Sequence, residues 1–116
     1  IIIGMQNTSA CAVVLNISNN LNIPYEFSLG LSYPNPFNPV TNINYTIPKL
    51  SNLKINIYDI TGRLVWNQIM QDKNAGNYNF SWNGKSSSGK NLAAGTYIIE
   101  MKSESFRQTR KMVLLK

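Results

Sequence analysis

The chain reads as an all-β protein, a two-sheet antiparallel β-sandwich of about seven strands preceded by an extended N-terminal β arm. Three observations predict this. From Thr41 onward short segments alternate apolar and polar side chains. Turn-forming Gly, Asn and Asp residues separate these segments at intervals of roughly eight to twelve residues. No stretch carries the apolar period and end signals of a helix. With 116 residues, 43% of them hydrophobic, the chain can bury one modest core.

Residues 1–28 read as an arm and linker, and residues 29–116 as the sandwich. The arm holds "ACAVVLNIS", an apolar run without alternation, which suits a strand buried on both faces or one awaiting a partner. Left alone in water such a run is an aggregation hazard; docked into a neighbour's sheet edge it satisfies its backbone and its side chains together. Ala12, Val13, Val14, Leu15 and Ile17 are therefore candidate subunit contacts. Cys11, the single cysteine, is expected to be buried rather than free or paired to another chain. Pro24 and Gly30 punctuate the lead-in that follows.

"YPNPFNP", Tyr33 to Pro39, comes next. Prolines at 34, 36 and 39 remove three amide donors, so the stretch cannot be an ordinary central strand. It suits an edge strand or a lid across one end of the sandwich, anchored by Tyr33 and Phe37.

Ile43, Tyr45 and Ile47 then alternate, as do Leu53, Ile55 and Ile57 before "DITG". Asp59 at the first turn position and Gly62 at the fourth fit a type I turn closed by a left-handed glycine. That turn predicts Ile57 opposite Val65, Ile55 opposite Asn67 and Leu53 opposite Ile69 on the inner face. Tyr58 with Leu64, Asn56 with Trp66 and Lys54 with Gln68 then face outward. Tyr58, Leu64, Trp66 and Met70 form an apolar outer patch, larger than a solitary sandwich leaves in water and so a second candidate subunit contact. Trp66 is expected to contribute most to it.

"GNYNFSW" places Tyr78, Phe80 and Trp82 on one side, with Trp82 as a core tryptophan. A polar loop with Gly84, Gly89 and Gly95 follows. Its spacing fails the phosphate-loop pattern, since Asn91 stands where Ser or Thr belongs. "TYIIEMK" and "FRQTRKMVLLK" finish the sheet as a hairpin turning at 103–105.

Composition excludes several chemistries. There is no histidine, so zinc sites and histidine-dependent triads are not expected, and neither is a cofactor. The acids are Glu26, Asp59, Asp72, Glu100 and Glu104, with no pair suited to acid–base work, so no catalytic residue is assigned and the chain is expected not to be an enzyme. The formal charge of +6 is scattered apart from Arg107, Arg110, Lys111 and Lys116, without a recognition helix or interleaved stacking aromatics, and no nucleic-acid partner is expected. "TSAC" is a poor lipoprotein cleavage site. No apolar run approaches the roughly 20 residues of a membrane-spanning helix. The chain begins at Ile1, as expected of a processed mature protein or of a piece of a longer one.

The order "YPNPFNPVTNINYTIP", "LKINIYDITGRLV", "AGNYNFSWNGKSSSGKNLAAGTYIIEMKS" and "TRKMVLLK" resembles the type A group of type IX secretion system C-terminal sorting domains. The resemblance covers residues 29–116. Wider kinship runs to immunoglobulin-like modules such as that of the flagellar hook-capping protein. It implies an immunoglobulin-like sandwich, a secreted or cell-surface location in a bacterium, and the outer-membrane secretion machinery as partner. The recognition elements it implies fall on Tyr33, Pro34, Asn35, Pro36, Phe37, Asn38 and Pro39, on Asp59, Gly62 and Arg63, on Gly95 and Tyr97, and on the tail from Lys111 to Lys116. Where the family often carries "WDG", this chain has Trp82, Asn83 and Gly84, so an acidic loop residue is missing.

Two functions compete. The chain is a structural subunit of an extracellular fibre or surface assembly, a homo-polymer that uses its N-terminal strand for subunit contacts, or it is the C-terminal sorting tail of a larger secreted protein. A glycan-binding module using Trp66 and Tyr58 is a remoter alternative.

Overall fold

The computed structural model describes residues 24–104 and 106–115, which form seven strands in two antiparallel sheets. The strands are β1 (Ser28–Tyr33), β2 (Thr41–Ile47), β3 (Ser51–Asp59), β4 (Leu64–Lys73), β5 (Gly76–Trp82), β6 (Gly95–Ser103) and β7 (Phe106–Leu114). One sheet has the order β1-β2-β5, the other β4-β3-β6-β7. The two-sheet sandwich expected from the alternation is the fold observed. The arm residues Cys11, Ala12, Val13, Val14, Leu15 and Ile17, and the terminal Lys116, lie outside the described residues.

The two-residue period sorts side chains as the sequence predicts. Ile43, Tyr45 and Ile47 of β2, Leu53, Ile55 and Ile57 of β3, and Tyr97, Ile99 and Met101 of β6 are all buried between the sheets. Each such side chain contributes about 1.5–3 kcal/mol by leaving water. Trp82 is a core residue, as expected. Packing begins slightly ahead of residue 29, because Phe27 stacks on Phe106 at 5.2 Å and the Thr46 hydroxyl donates to the Glu26 carbonyl at 3.0 Å.

The turn after β3 also forms as predicted. The Gly62 amide donates to the Asp59 carbonyl at 2.9 Å, and Gly62 takes the left-handed conformation, with φ of 89°. Tyr58 faces Leu64. Beyond that pair the predicted register fails by one residue. A bulge leaves Val65 without a partner, so Trp66 faces Ile57, Gln68 faces Ile55 and Met70 faces Leu53. One extra residue in a strand turns everything after it to the other face.

Three expectations are corrected by this bulge. Trp66 and Met70 do not join an outer patch; they pack against the core, Trp66 on Phe80 with ring centres 5.1 Å apart and Met70 with its sulfur 3.6 Å from the Tyr45 hydroxyl. Ile69, expected inside, is exposed. Trp66 and Tyr58 lie on opposite faces of the sheet, so they form no single platform for a sugar ring. Of the four residues expected in the outer patch, Tyr58 and Leu64 keep that position, and Leu64 is 49% exposed.

The proline-rich stretch runs beside the last strand. Phe37 donates its amide to the Val113 carbonyl at 2.9 Å and accepts the Leu115 amide at 2.8 Å, a parallel bridge along the edge of β7. Asn35 pairs the same edge through its side chain, accepting the Val113 amide at 3.0 Å and donating to the Lys111 carbonyl at 3.1 Å. Only one of the two expected anchors is buried. Phe37 is 1% exposed, whereas Tyr33, at the end of β1, is 80% exposed.

Candidate functional site

Strand register brings several sequence-predicted recognition residues to one pole of the sandwich. Asp59 ends β3 opposite Tyr97, Gly95 starts β6 opposite Leu114, and Thr41 starts β2 opposite Trp82. Trp82 joins the sheets there. Its ring centre lies 5.7 Å from that of Phe37 and 5.4 Å from that of Tyr97, and its indole N–H donates to the Lys85 carbonyl at 3.0 Å. Tyr97 in turn donates its hydroxyl to the Ala93 carbonyl at 2.6 Å, fixing the loop before β6. Burial, and then the nearby Asp59 charge, push the Tyr97 phenol above its ordinary pKa.

Beside this aromatic group opens a notch of about 230 Å3 lined by Asp59, Ile60, Arg63, Leu92, Gly95 and Tyr97, among others. Ile60 at its lip is 74% exposed. Asp59 is locked inside the turn. One carboxylate oxygen accepts the Thr61 amide at 2.9 Å, the Thr61 hydroxyl at 2.6 Å and the Arg63 amide at 3.0 Å, and the other accepts Arg63 Nε at 3.2 Å. The Thr61 hydroxyl, with the backbone bonds and Arg63 behind it, holds the carboxyl below its usual pKa. A carboxylate so fully engaged makes a weak base but a rigid turn. The notch therefore offers a shaped, mainly apolar rim with one ion pair, features that suit contact with a protein surface.

The remaining predicted recognition residues fall around this pole with different exposures. Asn35 and Lys111 meet at the β7 edge, the Pro34 carbonyl accepts the Thr41 hydroxyl at 2.8 Å, and Pro36, Asn38 and Pro39 are exposed. Gly62 and Arg63 are exposed on the turn. Tyr58 and Leu64 sit on the outer face just below it. Ile60 falls within the turn at 59–63 that the resemblance marks, whereas Leu92 and Ala93 went unpredicted, since loop residues carry no periodicity to mark them.

The outer face of the four-stranded sheet holds a second feature that the sequence reading passed over. Glu100 is buried there, although its strand neighbours Ile99 and Met101 face the core. Its carboxylate accepts Asn56 Nδ2 and the Tyr58 hydroxyl, each at 3.1 Å, and pairs with Arg107 Nε. Burial opposes the charge, yet the bonds from Asn56, Arg107 and Tyr58 together hold the carboxyl below its usual pKa. A lone acid within "IIEMK" was its only signal. Among the described residues, no three His, Cys, Asp or Glu side chains gather as a metal site, and no helix is long and apolar enough to cross a membrane.

Comparison with known proteins places this architecture. A search of curated proteins by sequence found no match. Among solved structures, FlgD from P. aeruginosa is 29% identical with a TM-score of 0.50, over 64% of this chain and 57% of that one. Dimeric latent PorU from Porphyromonas gingivalis has a TM-score of 0.60 at 20% identity, over 90% of this chain and 10% of PorU. PorZ, an essential bacterial surface component of the type IX secretion system of the same organism, has a TM-score of 0.52 at 16% identity, over 83% of this chain and 13% of PorZ. The chain thus spans little more than half of that FlgD and a small fraction of PorU and PorZ, and the likeness to the last two is one of fold. The family model described as the FlgD Ig-like domain matches residues 40–106, more than half of the chain. With its two antiparallel sheets, the chain belongs to the FlgD Ig-like domain family, as an immunoglobulin-like β-sandwich.

Proposed function

We propose that this chain is a non-enzymatic, secreted or cell-surface β-sandwich exported from a bacterium by a type IX-like route, and that the outer-membrane machinery reads the pole around Trp82. One observation carries this reading. The "YPNPFNP" stretch, the Asp59 turn, the Gly95–Tyr97 strand start and the C-terminal strand, distant in sequence, converge at one end of the fold around Trp82 and the Ile60 notch. A receptor meeting that end touches them together, and little ordering entropy is lost because the elements are already bonded to one another. The small share of PorU and PorZ that the chain spans favours its serving as the sorting tail of a larger secreted protein.

The test fuses the full chain to a passenger in a bacterium with a type IX route and follows the passenger in the medium. Deleting Lys111 to Lys116 abolishes export, but also removes strand β7 residues that complete the sheet. Ile60→Lys is the cleaner variant, because an exposed turn residue leaves the fold intact. Loss of export with an unchanged melting temperature supports the reading; unchanged export in both variants overturns it.

A second reading adds self-assembly, with the chain as a subunit of an extracellular fibre or surface assembly and the arm as its subunit contact. Among the described residues β5 ends its sheet with β2 as its one neighbour, which favours it.

A further inference from the structure

Four strands end the two sheets, namely β1, β5, β4 and β7. Three of these edges are covered by the chain itself. The β7 edge is closed by Asn35 and Phe37. β1 is tied to β7 through Leu29, whose amide donates to Gln108 Oε1 and whose carbonyl accepts Arg110 Nε, both at 2.9 Å. β4 is met by the loop after Trp82, with the Ser87 amide donating to the Val65 carbonyl at 3.0 Å and Ser87 Oγ accepting the Asn67 amide at 3.3 Å. Among the described residues, no backbone hydrogen bond reaches β5 other than from β2. Nor does "GNYNFSW" carry the lysine, proline or bulge that normally protects an exposed edge.

Among the described residues the interior beside that edge is only partly covered. The sheet containing β5 has three strands and faces a sheet of four. On this flank Trp66 and Met70 of β4 and Tyr78 and Phe80 of β5 are only half buried, and Gln68, on the inner face of β4, is exposed. A further strand beside β5 would cover this opening and satisfy the bare backbone.

We propose that the β5 edge receives residues 10–18 of a second copy of this chain as a fourth strand of its sheet, an inference that rests on the arm-mediated assembly proposed above. In a strand, Cys11, Val13, Leu15 and Ile17 share one face, the larger and more apolar, which matches the Trp66, Phe80 and Met70 opening. Ala10, Ala12, Val14, Asn16 and Ser18 share the other, which continues the polar outer row of Asn77, Asn79 and Ser81. We take the donor to be a neighbour, since the chain enters the sandwich at the far side of that sheet from β5. Phe27 is stacked on Phe106 at the β1–β7 flank and Tyr25 is fully exposed, whereas β5 lies on the opposite flank. Donor and acceptor on opposite flanks give a heterologous, head-to-tail contact, which adds copies one after another rather than pairing two about a two-fold axis.

Cysteine cross-linking of the full chain tests this in a Cys11→Ser background. Val14→Cys in one copy is mixed with Asn77→Cys, Asn79→Cys or Ser81→Cys in another; all three acceptor positions are exposed, so the core is untouched. Directly opposed cross-strand residues come close enough for a disulfide. The expected result is a covalent dimer of the two copies at one of the three positions, lost when Val13→Asp and Leu15→Asp are added to the Val14→Cys copy, and a ladder of higher species when both cysteines are in one chain. A linked monomer in the doubly substituted chain, at every concentration, means that the arm folds onto its own sandwich and overturns the proposal. Arm-dependent association without any link to β5 overturns the β5 assignment while the assembly reading stands. Absence of association in the unsubstituted chain overturns both.

Discussion

Asn35 and Val113, 78 positions apart, are joined by a side-chain bond that replaces a strand: the Asn35 carboxamide oxygen accepts the Val113 amide while its nitrogen donates to the Lys111 carbonyl. A stretch poor in amide donors thereby still closes a sheet edge, and the first of the proposed recognition elements is fastened to the last.

Asn35→Ala should leave a donor and an acceptor of β7 to water. Both bonds are solvent-accessible, so the expected loss is about 1 kcal/mol. Asn35→Asp keeps the acceptor for Val113 but loses the donor to Lys111 and should fall between. Urea unfolding of the full chain measures both; equal stability of Asn35→Ala and the parent would show that the edge bonds contribute nothing.

Phe37 and Tyr33 should separate sharply. Phe37→Ala removes a buried ring packed on Trp82 and is expected to cost about 3–5 kcal/mol, while Tyr33→Ala, at an exposed position, should stay within about 0.5 kcal/mol. Thermal melts decide it, and comparable losses would contradict the observed burial.

Glu100 should make stability depend on pH at the acid end. Its folded pKa is depressed, so its contribution is complete above the ordinary glutamate value of about 4.3 and is lost as pH falls through the lower folded value. Asp59, also depressed, acts in the same direction. Glu100→Gln should flatten part of the acid limb and leave the Asp59 part. Glu100→Ala should destabilise further, by roughly 1–3 kcal/mol at neutral pH, because Asn56 and Tyr58 lose their acceptor. Stability curves between the acid limb and neutrality check the sign; a Glu100→Gln limb as steep as the parent's would contradict it.

Two glycines test backbone against packing. Gly62→Ala meets open space and bears only its left-handed conformation, about 1 kcal/mol. Gly84→Ala bears a similar φ of 73° and also brings its Cβ within 3.2 Å of both Leu114 methyl carbons, so it should cost more. Equal losses in paired melts would mean that Leu114 moves aside freely.

Much of the fold was legible because it rests on local periods. Alternation at Ile43, Tyr45 and Ile47, or at Leu53, Ile55 and Ile57, fixes which face is buried wherever the pairing is regular, and Asp59 with Gly62 specifies a turn from four residues. The bulge at Val65 was not legible. An unpaired residue has no composition of its own, yet it reversed the facing of Trp66, Met70 and Ile69.

The amino-acid sequence by itself determined the number of strands, the turn at Asp59 and the core tryptophan Trp82, since each depends on residues near one another along the chain. Only the tertiary structure decided that the "YPNPFNP" stretch, the Asp59 turn, the start of β6 and the end of β7 share a pole, that Phe37 rather than Tyr33 is the anchor, that Glu100 is buried on an outer face, and that β5 ends its sheet among the described residues. These are outcomes of pairing between distant strands, where the register of one pair and the closure of each edge depend on partners that no local pattern names.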